Sequence, residues 1–207
     1  MAQVKISADS GGGSVAIAGP ASTTGNANLS YTLPDATTGG VIRTTTTPGA
    51  ILQVTQAVKR DTQSIDNTGF PSTITAITGL QPSLTPGSSS NKILVSWSIM
   101  LGGGSNTHTD LIVSRSVGGS DTDNILIGDA SSSRERSTQH TYIAGVHEQL
   151  LFSGQFLDSP STTSAVTYKI KFRTNDSTIY VNRSATNTDA NWSGMTTSTV
   201  TLMEVAG

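Results

Sequence analysis

Three histidines open the question of chemistry. His108-Thr109-Asp110 places two ligand-type side chains on one face of an extended segment, and His140 and His147 lie close to Glu148. Those residue types suit a divalent metal, but a structural zinc site takes four ligands at recognisable spacings, and neither a HExxH nor a paired CxxC pattern occurs. The bland reading is ordinary polar or interface histidines. In a trimer, a ring of symmetry-related histidines would be the one way to assemble a metal site from so few ligands.

Other constellations are weaker. Serine is too abundant for a Ser-His-Asp match to mean anything, and no Gly-x-Ser-x-Gly elbow is present. Gly102-Gly103-Gly104 follows a strong strand signal, yet without GxxxxGK[ST] or GxGxxG and without a helix to follow it reads as a flexible strand-to-strand loop and not a phosphate cradle. The 14 acidic residues form no convincing pair for glycoside hydrolysis. Sequons at Asn28, Asn175, Asn182 and Asn191 are what a chain rich in Asn, Ser and Thr produces by chance. Trp97 falls on an apolar alternating face and reads as core; Trp192, in TDANWSG, is either a surface aromatic for a sugar or partner or a packing residue. The expectation is therefore no catalytic, cofactor-binding or metal residue, and no cofactor.

The elements that would position these residues are strands. Lys92 to Leu101 puts Ile93, Val95, Trp97, Ile99 and Leu101 on one face, and Val166, Tyr168, Ile170 and Phe172 alternate with Thr167, Lys169, Lys171 and Arg173. The second pattern predicts one buried face and one wet face. Shorter strands are predicted over 50–58, 73–78, 110–115, 124–128, 148–157, 178–183 and 196–205, divided by turn residues such as Pro86-Gly87, Gly118-Gly119 and Asn175-Asp176. SSSRERSTQ has no apolar face and reads as a loop. An all-β antiparallel sandwich or jelly roll is the sum.

Composition agrees. Of 207 residues only 34% are hydrophobic and 13% charged, and roughly three in ten are Ser or Thr. Leu, Ile, Val and Phe make up roughly 22%, near the level of disordered chains, but disorder also needs a high net charge and this chain has −2. The 12 basic residues are scattered, which argues against nucleic acid as a partner. There is no cysteine, so disulfides, thiol catalysis and thiolate-bound metals are excluded. The opening MAQVKISADS lacks the features of a secretory leader, and no apolar run approaches a membrane span.

Two regions are expected. Residues 1–48 hold short apolar pairs (Val4/Ile6, Val15/Ile17, Leu29/Leu33) separated by glycines, too little for a core of their own, and Thr44-Thr45-Thr46-Thr47-Pro48-Gly49 reads as a hinge. Residues 49–207 are the β domain. An N-terminal attachment or oligomerisation segment before a sandwich domain is the organisation this predicts.

Several stretches together resemble virion structural proteins of tailed bacteriophages, especially marine and cyanobacterial phages: VKISADSGGGSVAIAGPASTTGNANLSYTLPD, PGAILQVTQAVKRDT, ITGLQPSLTPGSSSNKILVSWSI, FLDSPSTTSAVTYKIKFRT and the final TLMEVAG. The resemblance implies a non-enzymatic tail-fibre, appendage or knob protein, assembled in the host cytoplasm and exposed on the particle. It implies a homotrimer contacting tail, adaptor or capsid proteins and a host-surface glycan. A capsid decoration protein is the alternative, and a β-sandwich enzyme acting on carbohydrate a more distant one. Zero cysteine fits assembly in a reducing compartment.

Overall fold

In this computed structural model the described residues are 3–7, 14–18, 48–67, 74–175 and 177–207. The Leu29/Leu33 pair, the Asn28 sequon, the threonines at 44–47 and Asp176 lie outside them. The chain divides into two compact units, Met1–Arg43 and Thr44–Gly207. In the first, β1 (Gln3–Ser7) and β2 (Ser14–Ala18) pair antiparallel from Gln3 opposite Ala18 to Ser7 opposite Ser14.

The second unit is all β, and no helix occurs among its described residues. Its strands are β3 (Ile51–Lys59), β4 (Gln63–Asn67), β5 (Thr75–Ala76), β6 (Ser83–Leu84), β7 (Lys92–Gly103), β8 (Thr107–Val117), β9 (Ser120–Thr122), β10 (Gln139–Ile143), β11 (Gln149–Asp158), β12 (Val166–Thr174), β13 (Ser177–Val181) and β14 (Ser198–Val205). Register reduces these to eight rows, because several short strands lie end to end. β13 and β14 both pair with one edge of β7, at Leu101–Gly103 and Lys92–Ser98, while β11 takes its other edge. β4 and β3 extend that composite row outward in the same order. β9 and β10 share one edge of β8, and β5 and β6 share the far edge of β12.

Numbered along the chain, the rows order as 1-8-3-6 in one sheet and 2-7-4-5 in the other, every pairing antiparallel. That order is the jelly roll expected from the sequence. Ile93, Val95, Trp97, Ile99 and Leu101 pack against Tyr168, Ile170 and Phe172 in the shared core. Phe152 of one sheet meets Phe172 of the other edge to face at 5.5 Å. Trp97 is accommodated because its cross-strand neighbour is Gly154, where a Cβ would collide with the indole. Its Nε1 donates to Gln139 Oε1 at 2.9 Å, across to the second sheet.

Buried polar groups close the sandwich. Asp158 at the end of β11 accepts from Arg115 Nη1 (3.0 and 2.8 Å) and from the Tyr168 hydroxyl (2.6 Å) of the facing sheet. Burial and the adjacent carboxylate hold that phenol far above its ordinary pKa, so it stays a donor. Glu204, 2% exposed, accepts from Gly87 N, Asn91 Nδ2 and Gln53 Nε2 and so ties the 85–91 loop to β14 and β3. Burial alone would raise its pKa, yet the three donors outweigh it and leave the carboxyl below its usual range.

The break between β13 and β14 is bridged by Asn182, which is fully buried at φ 65°. Its backbone N–H donates to Met100 O (2.9 Å), filling the rung the ladder would lose. Its Nδ2 donates to Lys59 O (3.0 Å) and Asp61 O (2.9 Å), where β3 turns into β4, and its Oδ1 accepts from Ser198 Oγ at 2.6 Å. Asparagine tolerates the left-handed region better than other side chains of its size.

Two expectations are corrected. The face bearing Lys169, Lys171 and Arg173 is not wet: β9, the segment after it and the 134–136 stretch cover it, pairing Lys169 and Lys171 with Asp121, Lys171 with Asp123 and Arg173 with Glu135. Residues 124–128 are not a strand. Thr138 occupies the slot on β8 instead, its Oγ1 accepting from Val113 N (3.1 Å) and donating to Leu126 O (2.6 Å). SSSRERSTQ is a loop, as its composition predicts.

Asn182→Ala removes three buried hydrogen bonds and should destabilise the fold by about 3–5 kcal/mol, several-fold more than an exposed Asn→Ala, read by urea unfolding. Asp121 is also depressed, by hydrogen bonds from Lys169 and Lys171. Since the folded pKa values of Asp121 and Glu204 lie below the unfolded ones, their stabilisation is complete above roughly pH 5 and is lost as pH falls through the folded values. Thermal melts should show a falling midpoint below roughly pH 4, and a flat midpoint down to roughly pH 2 would contradict this assignment.

Candidate functional site

β8 and β10 bring two of the three histidines together. In their register Tyr142 lies opposite His108 and His140 opposite Asp110, and β12 adds Arg173 opposite Asp110 on its other side. Because residues directly opposite share a face, one rung reads His140, Asp110, Arg173. Asp110 is 2% exposed, accepts from Arg173 Nε at 2.9 Å, and lies 2.8 Å from His140 Nδ1. Arg173 is held in turn by Glu135 (2.8 Å) and by the Arg136 carbonyl (2.9 Å).

The rings form a short ladder. His140 stacks on His108 with centroids 5.6 Å apart and planes 22° apart, and His108 meets Tyr142 at 4.8 Å. The Tyr142 hydroxyl donates to Asn106 in the β7–β8 turn. Around them lies an open cleft of about 710 Å³ lined by His108, Asp110, Arg134, Glu135, His140 and Asn175. Asn175 is fixed by accepting the His108 backbone N–H at 2.6 Å.

Chemically this arrangement can fix the orientation of polar groups around an open cleft. With the shared proton on Nδ1, Asp110 fixes the His140 tautomer and leaves Nε2 as an acceptor. No hydroxyl is hydrogen-bonded to either imidazole among the described residues, so a nucleophile is not aligned with the His–Asp pair. Among the described residues no group of three or more His, Asp or Glu side chains converges as a metal site. A partly exposed ring ladder flanked by amide, guanidinium and carboxylate groups suits a polyhydroxylated ligand, whose C–H face stacks on rings while its hydroxyls pair with planar polar groups.

His147 and Glu148 stand apart from this cluster. Glu148 turns back to accept Ala144 N at 2.8 Å, closing its own turn. His147 meets Trp192 edge to face at 6.0 Å, beside a smaller cleft of about 340 Å³ lined also by Gln149, Ser184, Ser193 and Gly194. Trp192 is 65% exposed, a surface aromatic carried on the 182–197 excursion that Asn182 permits, and Gln149 braces that excursion through Gly194 O (2.9 Å) and Thr196 Oγ1 (3.1 Å). Trp97, by contrast, is core.

Gly102 and Gly103 are neither a phosphate cradle nor a flexible loop. They lie inside β7 and are buried, where a Cβ on Gly102 would strike the Arg183 carbonyl and one on Gly103 the Ile143 side chain. The sequence left Tyr142, Arg173 and Glu135 out of the site. The signal was there in His-x-Asp and His-x-Tyr, two matched alternations, but their register is visible only once β8 and β10 pair.

No family model matches the chain, and no curated protein matches it. Among solved structures it aligns with one described as the structure of infectious bursal disease virus Gx strain, at 10% identity and a TM-score of 0.34, over 74% of this chain and 37% of that one. The chain thus spans little more than a third of that neighbour's length. A likeness this distant carries no argument here.

The rung predicts an asymmetry. Asp110→Ala leaves the buried Arg173 without its buried carboxylate partner and should cost about 3–5 kcal/mol, whereas His140→Ala, at a side chain 54% exposed, should cost under about 1 kcal/mol in the same urea titration.

Proposed function

We propose that the protein is a non-enzymatic structural component of a tailed-phage virion, a homotrimeric appendage or knob subunit exposed on the particle. The observation that carries the reading is the match between the phage-like sequence stretches and the architecture they build. The strands of PGAILQVTQAVKRDT, the C-terminal TLMEVAG and SSSNKILVSWSI are three adjacent rows of one sheet of a jelly roll, and AVTYKIKFRT is an inner row of the other. Jelly rolls serve viral shells and lectins, among other uses, and both uses depend on rigid packing and surface loops.

Two further features support it. Durability without cysteine comes here from a continuous core and buried ionic hubs such as Asp158 with Arg115 and Tyr168. Residues 1–48 are the segment through which the domain joins tail, adaptor or capsid proteins, because short Gly-interrupted strands gain most from a partner. The ring-lined cleft at His108, His140 and Tyr142 is the surface offered to a host glycan.

Peptide mass fingerprinting of purified particles of the encoding phage should find the protein in multiple copies, and gold-labelled antibody should mark the tail tip or baseplate. Label distributed over the shell would replace the appendage reading with the decoration one. Absence from purified particles would overturn the proposal.

A further inference from the structure

The outer face of the β11-β7-β14-β3 sheet is laid out in rows that cross all four strands. Residues directly opposite in the register share a face, so each row can be read from the pairings. One row is apolar throughout: Val54, Met203, Leu94, Leu157. The next is uncharged and polar: Gln56, Thr201, Ser96, Gln155, with Gln56 Nε2 donating to Thr201 Oγ1 at 2.8 Å. A third runs Val58, Thr199, Ser98, Ser153. None of these side chains is charged, and on this face Val54, Val58 and Leu157 are 58%, 39% and 45% exposed.

From this layout we infer that the face packs against the same face of a second copy, about a two-fold axis parallel to the strands and running between β14 and β7. Such an axis reverses the order within a row and leaves the rows in place. Val54 then faces Leu157 of the other copy, Met203 faces Leu94, Gln56 faces Gln155 and Thr201 faces Ser96. In the first row apolar meets apolar and in the second amide meets amide and hydroxyl meets hydroxyl; in the third Thr199 meets Ser98 while Val58 meets Ser153, so the first two rows carry the self-complementarity an isologous contact requires. In the bordering row Lys92 lies opposite Val205 of the other copy, so like charges are not opposed.

The chemistry selects against other occupants. The three rows hold no basic side chain to attract nucleic acid and no charge to draw a charged partner, and the nearest charge, Lys92, stands alone at their border. With strands about 4.8 Å apart and about 3.4 Å per residue, the face measures about 20 Å by 20 Å, within the size range of apolar patches that mark interaction sites. Two such faces together bury about 800 Å², below the range of stable specific interfaces and within that of weak, transient ones, so the association is concentration-dependent. The packed sheets would lie about 10 Å apart with strands within about 30° of parallel, as in any aligned sandwich. This contact joins a patch to itself, whereas a three-fold ring joins two different patches, so a trimer would pair into six.

Sedimentation equilibrium of the full chain tests the inference. The wild type should contain an even number of copies, and Val54→Lys should halve the mass while leaving the thermal midpoint within a few degrees. Leu157→Lys, on the opposite edge strand, should halve it in the same way. Combining Val54→Lys with Leu157→Glu should restore the wild-type mass, because the axis places those two positions in contact across the interface. A wild-type protein that is monomeric, covered on this face by its own N-terminal residues or by nothing, would overturn the inference, as would a mass that neither lysine changes or a double variant that stays at half mass.

Discussion

One buried asparagine decides how this sandwich is wired. The row beside β7 is built from two strands, β13 and β14, separated by residues 182–197, and an interruption of that kind takes buried polar groups out of the ladder. The Asn182 side chain pairs several of them: Nδ2 donates to the Lys59 and Asp61 carbonyls at the β3–β4 bend and Oδ1 accepts the Ser198 hydroxyl, while its own N–H completes the β7 ladder. An unsatisfied buried polar group costs about 1–3 kcal/mol, so without such a hub the excursion would not be tolerated. With it, the sheet stays continuous and an exposed tryptophan is set at its rim.

The same economy recurs wherever charge is buried. A chain with 12 basic and 14 acidic residues has few ions to spend, and the described structure pairs them across layers. Asp158 joins the two sheets, Asp110 joins β8 to β10 and β12, and Asp121 clamps two lysines of β12 under the segment that covers them. What remains on three rows across β3, β14, β7 and β11 of the other sheet is hydroxyl, amide and aliphatic, with Lys92 in the row beside them. The low charge noted from composition is therefore not spread evenly: it leaves a patch of one sheet face uncharged and much of the other sheet's charge neutralised from within.

The long amphipathic strands were legible because period two is a local property. Ile93 to Leu101 and Val166 to Phe172 are buried on the face the alternation predicts. β4, β6, β9 and β10 were not legible: QSIDN, SL, SDT and QHTYI are short and polar, and they exist because a longer strand offers them an open edge. The wet face assigned to Lys169, Lys171 and Arg173 failed for a related reason, since the acids that cover it, Asp121 on β9 and Asp123 and Glu135 after it, come from a distant part of the chain. The cleft was half legible. His108, Asp110 and His140 stood out by type, but their convergence depends on cross-strand register, and Asn182 reads in the sequence only as a chance sequon within the predicted 178–183 strand.

If this jelly roll is the self-associating virion subunit proposed, a reconstruction of phage particles that carry it, at a resolution that separates strands, should show it. The particle exterior should hold an eight-row sandwich, with its β11-β7-β14-β3 sheet covered by the same sheet of another copy and the His108–His140 cleft open to solvent. A particle lacking that sandwich, or one in which the uncharged sheet faces solvent while the cleft is buried against the shell, would contradict it.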